Sequence, residues 1–199
     1  MMTIMRNIKP NTRTAAKEAS RERIVSVAAR AIRRGGYDGT GVADIMKEAG
    51  LTHGAFYAHF ASREAMLAEA AGRACAESAA AAADGVASVP PEQALTYMFQ
   101  AYLSRENLEQ IERGCPLAAL GSETVRQAPE VRRVNTRYIK EMVDLVGSQL
   151  PDWGQPGTHE RALVSVATMV GTLLLARVAD EPALSDSLRA AALKHLPIL

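Results

Sequence analysis

The spacing of its apolar residues constrains this chain more than any other feature. From Ile24 almost to the C-terminus they recur at intervals of three and four, and the pattern stops only at glycine or proline. That is the period of one helix face. Ile24, Val27, Ala28, Ala31 and Ile32 form the first such face. Ser20 stands ahead of it as a cap, Arg30, Arg33 and Arg34 suit the dipole at its end, and Gly35-Gly36 stops it. A second helix follows Thr40, with Val42, Ile45, Met46 and Ala49 on one face and Gly50 as its stop. Thr52 is placed to cap a short third helix, and Ser62 caps a fourth with Glu64 in its first turn. That fourth helix runs on into the alanines at 79–83. Aromatic residues are only 5% and alanine is abundant, a balance that favours helices over a sheet sandwich.

Gly85 to Pro91 breaks the pattern. Helices are then predicted from Glu92 to about Arg105, from Leu117 to Arg126 after Gly114-Cys115-Pro116, and from Pro129 through Val146. A loop from Pro151 to Gly157 holds the sole tryptophan, Trp153, and two last helices span about His159–Ala179 and Leu184–Leu196. Residues 1–19 have no apolar period and read as an arm.

Charge is divided unevenly. Residues 1–34 hold nine basic and two acidic side chains, whereas residues 76–199 are net acidic. A basic end on an acidic body points to a polyanion partner, or to a solvated tail. Cys75 and Cys115 form no CxxC pair, so neither a disulfide framework nor thiolate metal ligation is expected. His53 and His59 are six apart and share a helix face poorly, so no metal is expected there. The N-terminus has no apolar signal region. The longest charge-free stretch, residues 162–176, is shorter than the roughly 20 apolar residues of a membrane span. The expected setting is the cytoplasm, with no membrane partner. No nucleophile elbow, phosphate loop, dinucleotide fingerprint or HExxH motif is present, so neither an enzyme nor a cofactor is expected.

Two short helices joined at Gly50 have the size of a helix-turn-helix, whose second helix must enter a groove about 12 Å wide. A plain helical hairpin fits the same spacing. The wording of residues 39–64 is more specific. "VADIMKEAGL", "THGAFYAHF" and the Ser62-Arg63-Glu64 start of the fourth helix resemble the DNA-binding signature of TetR/AcrR-type transcriptional regulators, over about residues 20–70. The resemblance implies phosphate contacts from Thr40, Thr52 and Arg63, and sugar-phosphate contacts from Tyr57 and His59. It places His53, Gly54 and Ala55 against base edges, where Ala55 meets a thymine methyl. Phe56 and Phe60 are implied to be core. Arg6, Lys9, Arg13, Lys17 and Arg21 would follow the backbone or enter the minor groove. Gly41 departs from the many relatives that carry Thr or Ser there, and cannot offer a phosphate a hydroxyl.

The fold implied is all-α: an arm (1–19), a three-helix helix-turn-helix DNA-binding domain (20–65), and a helical ligand-binding and dimerisation domain (66–199). A lone short helix contacts too few base pairs, so a homodimer on a palindromic double-stranded operator is expected. The family's four-helix bundle puts that interface on the last two helices, at Leu163, Val166, Ala167, Val170, Gly171, Leu174, Leu188 and Ala192. A cavity for a small apolar or amphipathic ligand is expected among Phe99, Tyr102, Cys115, Leu117, Leu120, Tyr138, Met142 and Met169. Cys115, at a helix start beside Arg113, is also a candidate thiol sensor. The function expected is a ligand-responsive repressor. The alternative is a helical protein–protein adaptor that has lost DNA binding.

Overall fold

The computed structural model describes residues 12–196, which form nine α-helices and one 3-10 helix. No strand occurs among the described residues. The helices are α1 (Thr12–Gly35), α2 (Val42–Glu48), the 3-10 helix η1 (His53–Ala58) and α3 (Arg63–Ala87). They continue as α4 (Pro91–Tyr102), α5 (Arg105–Glu109), α6 (Pro116–Thr124), α7 (Pro129–Ser148), α8 (Thr158–Val178) and α9 (Pro182–His195).

Local chemistry accounts for most boundaries. Proline occupies the first turn of α4, α6, α7 and α9, where a missing N–H costs nothing. The Ser62 hydroxyl accepts from Ala65 N at 3.1 Å and caps α3. Three elements differ from expectation. Helix α1 begins at Thr12, eight residues before the Ser20 start, so Ser20 is interior. Residues 12–19 carry no apolar stripe, but Ala15, Ala16, Lys17 and Glu18 are good helix formers that extend a helix already nucleated downstream. Residues 1–11 of the expected arm lie outside the described residues. The expected third helix is a 3-10 helix, with Ala55 N bonded to Thr52 O and His59 N to Phe56 O. The helix expected to reach Arg105 ends at Tyr102, because Asn107 Nδ2 caps the Tyr102 carbonyl at 2.6 Å and Ser104 Oγ starts α5.

Two apolar cores share α3. Its first half joins α1, α2 and η1 around Ile24, Ile32, Met46, Phe56, Phe60, Met66 and Leu67. Its second half packs on α7, and α4, α7 and α8 enclose Phe99, Leu103, Tyr138, Val146, Met169 and Leu173. Helix α6 belongs to both, since Leu120 joins the first core and Leu117 and Ala118 the second. Helix α8 is long and apolar enough to cross a membrane by length and composition alone. Ala162, Ser165, Val166, Met169, Leu173 and Ala176 turn one of its faces into the core.

Candidate functional site

Gly50 joins α2 to η1 with φ +72°, a conformation natural to glycine, and Leu51 N returns to Met46 O at 2.8 Å. The inner side of η1 is held by Phe56, 2% exposed, whose ring stacks on Phe60 at 5.6 Å. That anchoring turns the other side out. Thr52, His53, Gly54 and Tyr57 are exposed, and the Tyr57 ring stands 72% in solvent. A side chain at Gly54 would meet nothing among the described residues within 4 Å, so their packing does not require glycine there. Ala55 is half-buried, its methyl packed against the core. Phe56 and Phe60 are core, in agreement with the sequence.

Three residues behave differently from expectation. Thr40 is buried, and its hydroxyl donates to Gly36 O at 2.8 Å and Ala31 O at 3.2 Å, so no hydrogen remains for a phosphate. It is a pin between α1 and the start of α2. Arg63 Nη2 donates to the Tyr37 and Thr40 carbonyls, which commits that nitrogen to the same loop. Arg21 is bonded to Glu69 and lies over the Phe60 ring, 4.4 Å from its centroid, so it braces α1 against α3 rather than standing free for DNA. His59 is partly buried, and its Nδ1 has no partner. Burial first, then the cations Lys17 and Arg21, push its imidazole below the usual histidine range. Lys17 is exposed on α1. Arg6 and Lys9 lie outside the described residues.

The second core borders a cavity of about 380 Å³ that opens to solvent on one side. Of the expected lining residues, Tyr102, Cys115, Tyr138, Met142 and Met169 face it. Phe99, Leu117 and Leu120 do not. Phe99 and Leu117 are packed in the core, and Leu120 points into the first core beneath α1. Trp153 lies against Gly147, leaving no room for a side chain there. The α3 contribution, Ser78, Ala79 and Ala82, carried no signal in sequence beyond an alanine run. Tyr138 Oη donates to Ser78 Oγ at 2.8 Å and lies 3.8 Å from Cys115 Sγ. Cys115 is 2% exposed. Burial pushes the Cys75 thiol up to about 12, which leaves it a packing residue.

The cavity wall is wired to the N-terminal module. Arg33 of α1 is buried, yet its guanidinium donates to Glu77 of α3 at 2.6 Å and to the carbonyl of Gly114, a wall residue, at 3.4 Å. Helix α6 begins beside Cys115 and ends on α1's exit turn. There Glu123 accepts from Tyr37 N at 2.9 Å, and Thr124 Oγ1 meets the Tyr37 hydroxyl at 3.5 Å.

On the far side, α8 exposes an apolar stripe. Leu163, Val164, Ala167, Leu175 and Val178 are exposed, with Val170, Gly171 and Leu174 half-buried between them. Leu184 and Leu188 of α9 extend it. Val166 and Ala192, expected at the interface, are buried in the core of the chain itself. Among the described residues no group of three or more His, Cys, Asp or Glu is placed to hold a metal.

Comparisons with known proteins agree with this geometry. The model of the tetR family of bacterial regulatory proteins matches residues 24–70. That of the LmrA/YxaF-like transcriptional regulator C-terminal domain matches residues 91–192. An HTH-type transcriptional regulator of Mycobacterium tuberculosis is 29% identical over 170 residues, covering 81% of this chain and 86% of the relative. Escherichia coli NemR, solved in its reduced form, superposes with a TM-score of 0.76 at 20% identity, covering 89% of this chain and 95% of its own. A TetR transcriptional regulator of Chloroflexus aurantiacus gives 0.74 at 24% identity, covering 92% and 96%.

Proposed function

The chain belongs to the tetR family of bacterial regulatory proteins and is a transcriptional regulator with a DNA-binding helix-turn-helix; from that premise we propose that it is a cytoplasmic, ligand-released repressor that binds a palindromic operator as a homodimer. The observation that carries the reading is η1. Phe56 and Phe60 fix it from beneath, and Thr52, His53, Gly54 and Tyr57 stand outward into solvent.

In this reading Thr52, Tyr57 and His59 contact the phosphate backbone, and His53, Gly54 and Ala55 face the base edges. Lys17, and the donors of Arg63 not spent on the loop, add positive charge beside them. The second copy packs on the α8–α9 stripe, where Val178 is 73% and Leu175 51% exposed. That partner also accounts for the apolar length of α8 without a membrane. The division into arm (1–19), DNA-binding part (20–65) and ligand-binding part (66–199) is supported by the two cores only in part: the first core also takes in Met66, Leu67, Leu120 and Val131, and the helical part of the arm is the start of α1.

A small molecule in the cavity displaces Gly114–Cys115. Arg33 and α6 pass that movement to α1, changing the distance between the two copies of η1 from the roughly 34–36 Å of one helical turn of DNA. Cys115 stands on the same wall, so an adduct on its thiol acts at the same point. An electrophoretic shift assay with DNA from upstream of its own gene tests the reading. Specific retention that weakens as salt rises, and that drops in Tyr57→Ala, is the expected result. Failure to retain either this DNA or unrelated DNA favours the adaptor.

A further inference from the structure

We propose that the cavity takes an amphipathic monocarboxylate, its head group seated at the inner end on the Tyr102 hydroxyl, beside Cys115 and facing the charge of Arg177. This rests on the reading of the cavity as the effector site. The space is apolar over Met98, Ala101, Met142, Val146 and Met169, and its volume of about 380 Å³ suits a medium-length chain or a small ring system.

The inner end is different. The Tyr102 ring lines the cavity, but its hydroxyl is buried and, among the described residues, has only the weakly accepting Cys115 thiol beside it and no oxygen or nitrogen partner. A buried donor left in that state wants an acceptor that the chain does not supply. Burial holds the phenol well above its usual range, so it stays a donor. Arg177 of α8 lies immediately behind the wall. A side chain at Gly114, itself a wall residue, would stand 2.9 Å from its Nη2. Its Nε and Nη2 donate to the carbonyls of Leu108 and Asn107 at 3.2 and 2.8 Å, while Nη1 is buried with no partner. No carboxylate pairs with it among the described residues. A part-buried cation without a counter-ion among the described residues, behind the wall, and a hydroxyl without an oxygen or nitrogen acceptor form a receptor for an oxyanion at that end of the space. Glu106 and Glu141, with Arg113, lie at the exposed rim, where water and salt screen them.

The full-length protein is titrated by calorimetry with decanoate, methyl decanoate and decyltrimethylammonium, and the series is repeated on Tyr102→Phe. Decanoate should bind at least about tenfold tighter than either of the others, and Tyr102→Phe should weaken it about tenfold or more. The same variant should melt little lower than the parent when empty, because the hydroxyl it loses bonds to no oxygen or nitrogen among the described residues and has only the weak Cys115 thiol beside it. The proposal is overturned if the cation binds as tightly as decanoate, if Tyr102→Phe leaves decanoate affinity unchanged, or if no probe binds by about 1 mM. Operator binding, followed in parallel by anisotropy, separates the two levels. Specific DNA binding with any of those failures removes the ligand class alone, whereas loss of specific DNA binding in the parent removes the regulator reading beneath it.

Discussion

Arg33 and Glu77 form an ion pair of unequal depth, and that inequality gives an unusual mutational expectation. The Arg33 side chain is 0% exposed and the Glu77 side chain 38%. Removing one partner of a fully buried pair costs about 3–5 kcal/mol, because the survivor keeps its charge without water. Glu77→Gln leaves the survivor in the dry position, and discounting for the partial exposure of the removed carboxylate gives about 2–3 kcal/mol. Arg33→Met leaves Glu77, which water reaches, while methionine preserves most of the buried volume. Its cost is about 1 kcal/mol, mainly the lost bonds to the Ala29 and Gly114 carbonyls. For a chain of this size these correspond to melting shifts of roughly 5–10 °C and 2–4 °C. Urea unfolding followed by helical circular dichroism, at fixed protomer concentration, measures both. The reasoning is refuted if Arg33→Met is the more destabilising by over about 1 kcal/mol. The same variant should also cut the coupling between cavity and DNA. An effector that changes operator affinity by roughly 5–150-fold in the parent should change it little in Arg33→Met.

Thr40→Val should lose about 1–2 kcal/mol of stability by leaving the Gly36 carbonyl unpaired, yet keep its operator affinity once folded; Thr52→Val, at an exposed position, should show the opposite pattern in denaturation and anisotropy titrations. His59 has its folded pKa lowered in the free protein, and a phosphate beside it favours the imidazolium, so operator binding should take up a proton and strengthen as pH falls from 7 towards 6. Anisotropy across that range should show the trend in the parent and not in His59→Gln. Val178→Glu should yield a monomer by light scattering while leaving the helical content intact, because the residue it replaces is 73% exposed in the single chain.

Features set by neighbouring residues were legible in the sequence. The prolines opening α4, α6, α7 and α9, the Ser62 cap and the Gly50 turn each act within one helical turn. Phe56 and Phe60 were legible as core through the family resemblance, which places them beneath the recognition element. Features set by packing were not. Thr40 has the right residue type for a phosphate contact, but its hydroxyl is taken by carbonyls of α1, which only the α1–α2 approach reveals. Phe99 lies on α4, which borders the cavity, whereas Leu117 and Leu120 lie on α6, which contributes no wall residue; the packing that turns each of them into a core is not visible in the sequence. Arg177 gave no signal, because an arginine near a helix C-terminus is ordinary until its neighbours are seen. The start of α1 was missed because residues 12–19 form helix by propensity and continuity, without a buried face.

The central claim is that two outward-facing copies of η1 read one two-fold symmetric duplex. Selection of genomic fragments by the purified protein, followed by footprinting on the enriched sequence, tests it most directly. The account expects one inverted repeat with half-site centres about 10 base pairs apart, protected by two chains per duplex and lost in Tyr57→Ala. Enrichment no greater than bulk DNA, or protection of a single unrepeated site by one chain, would contradict it.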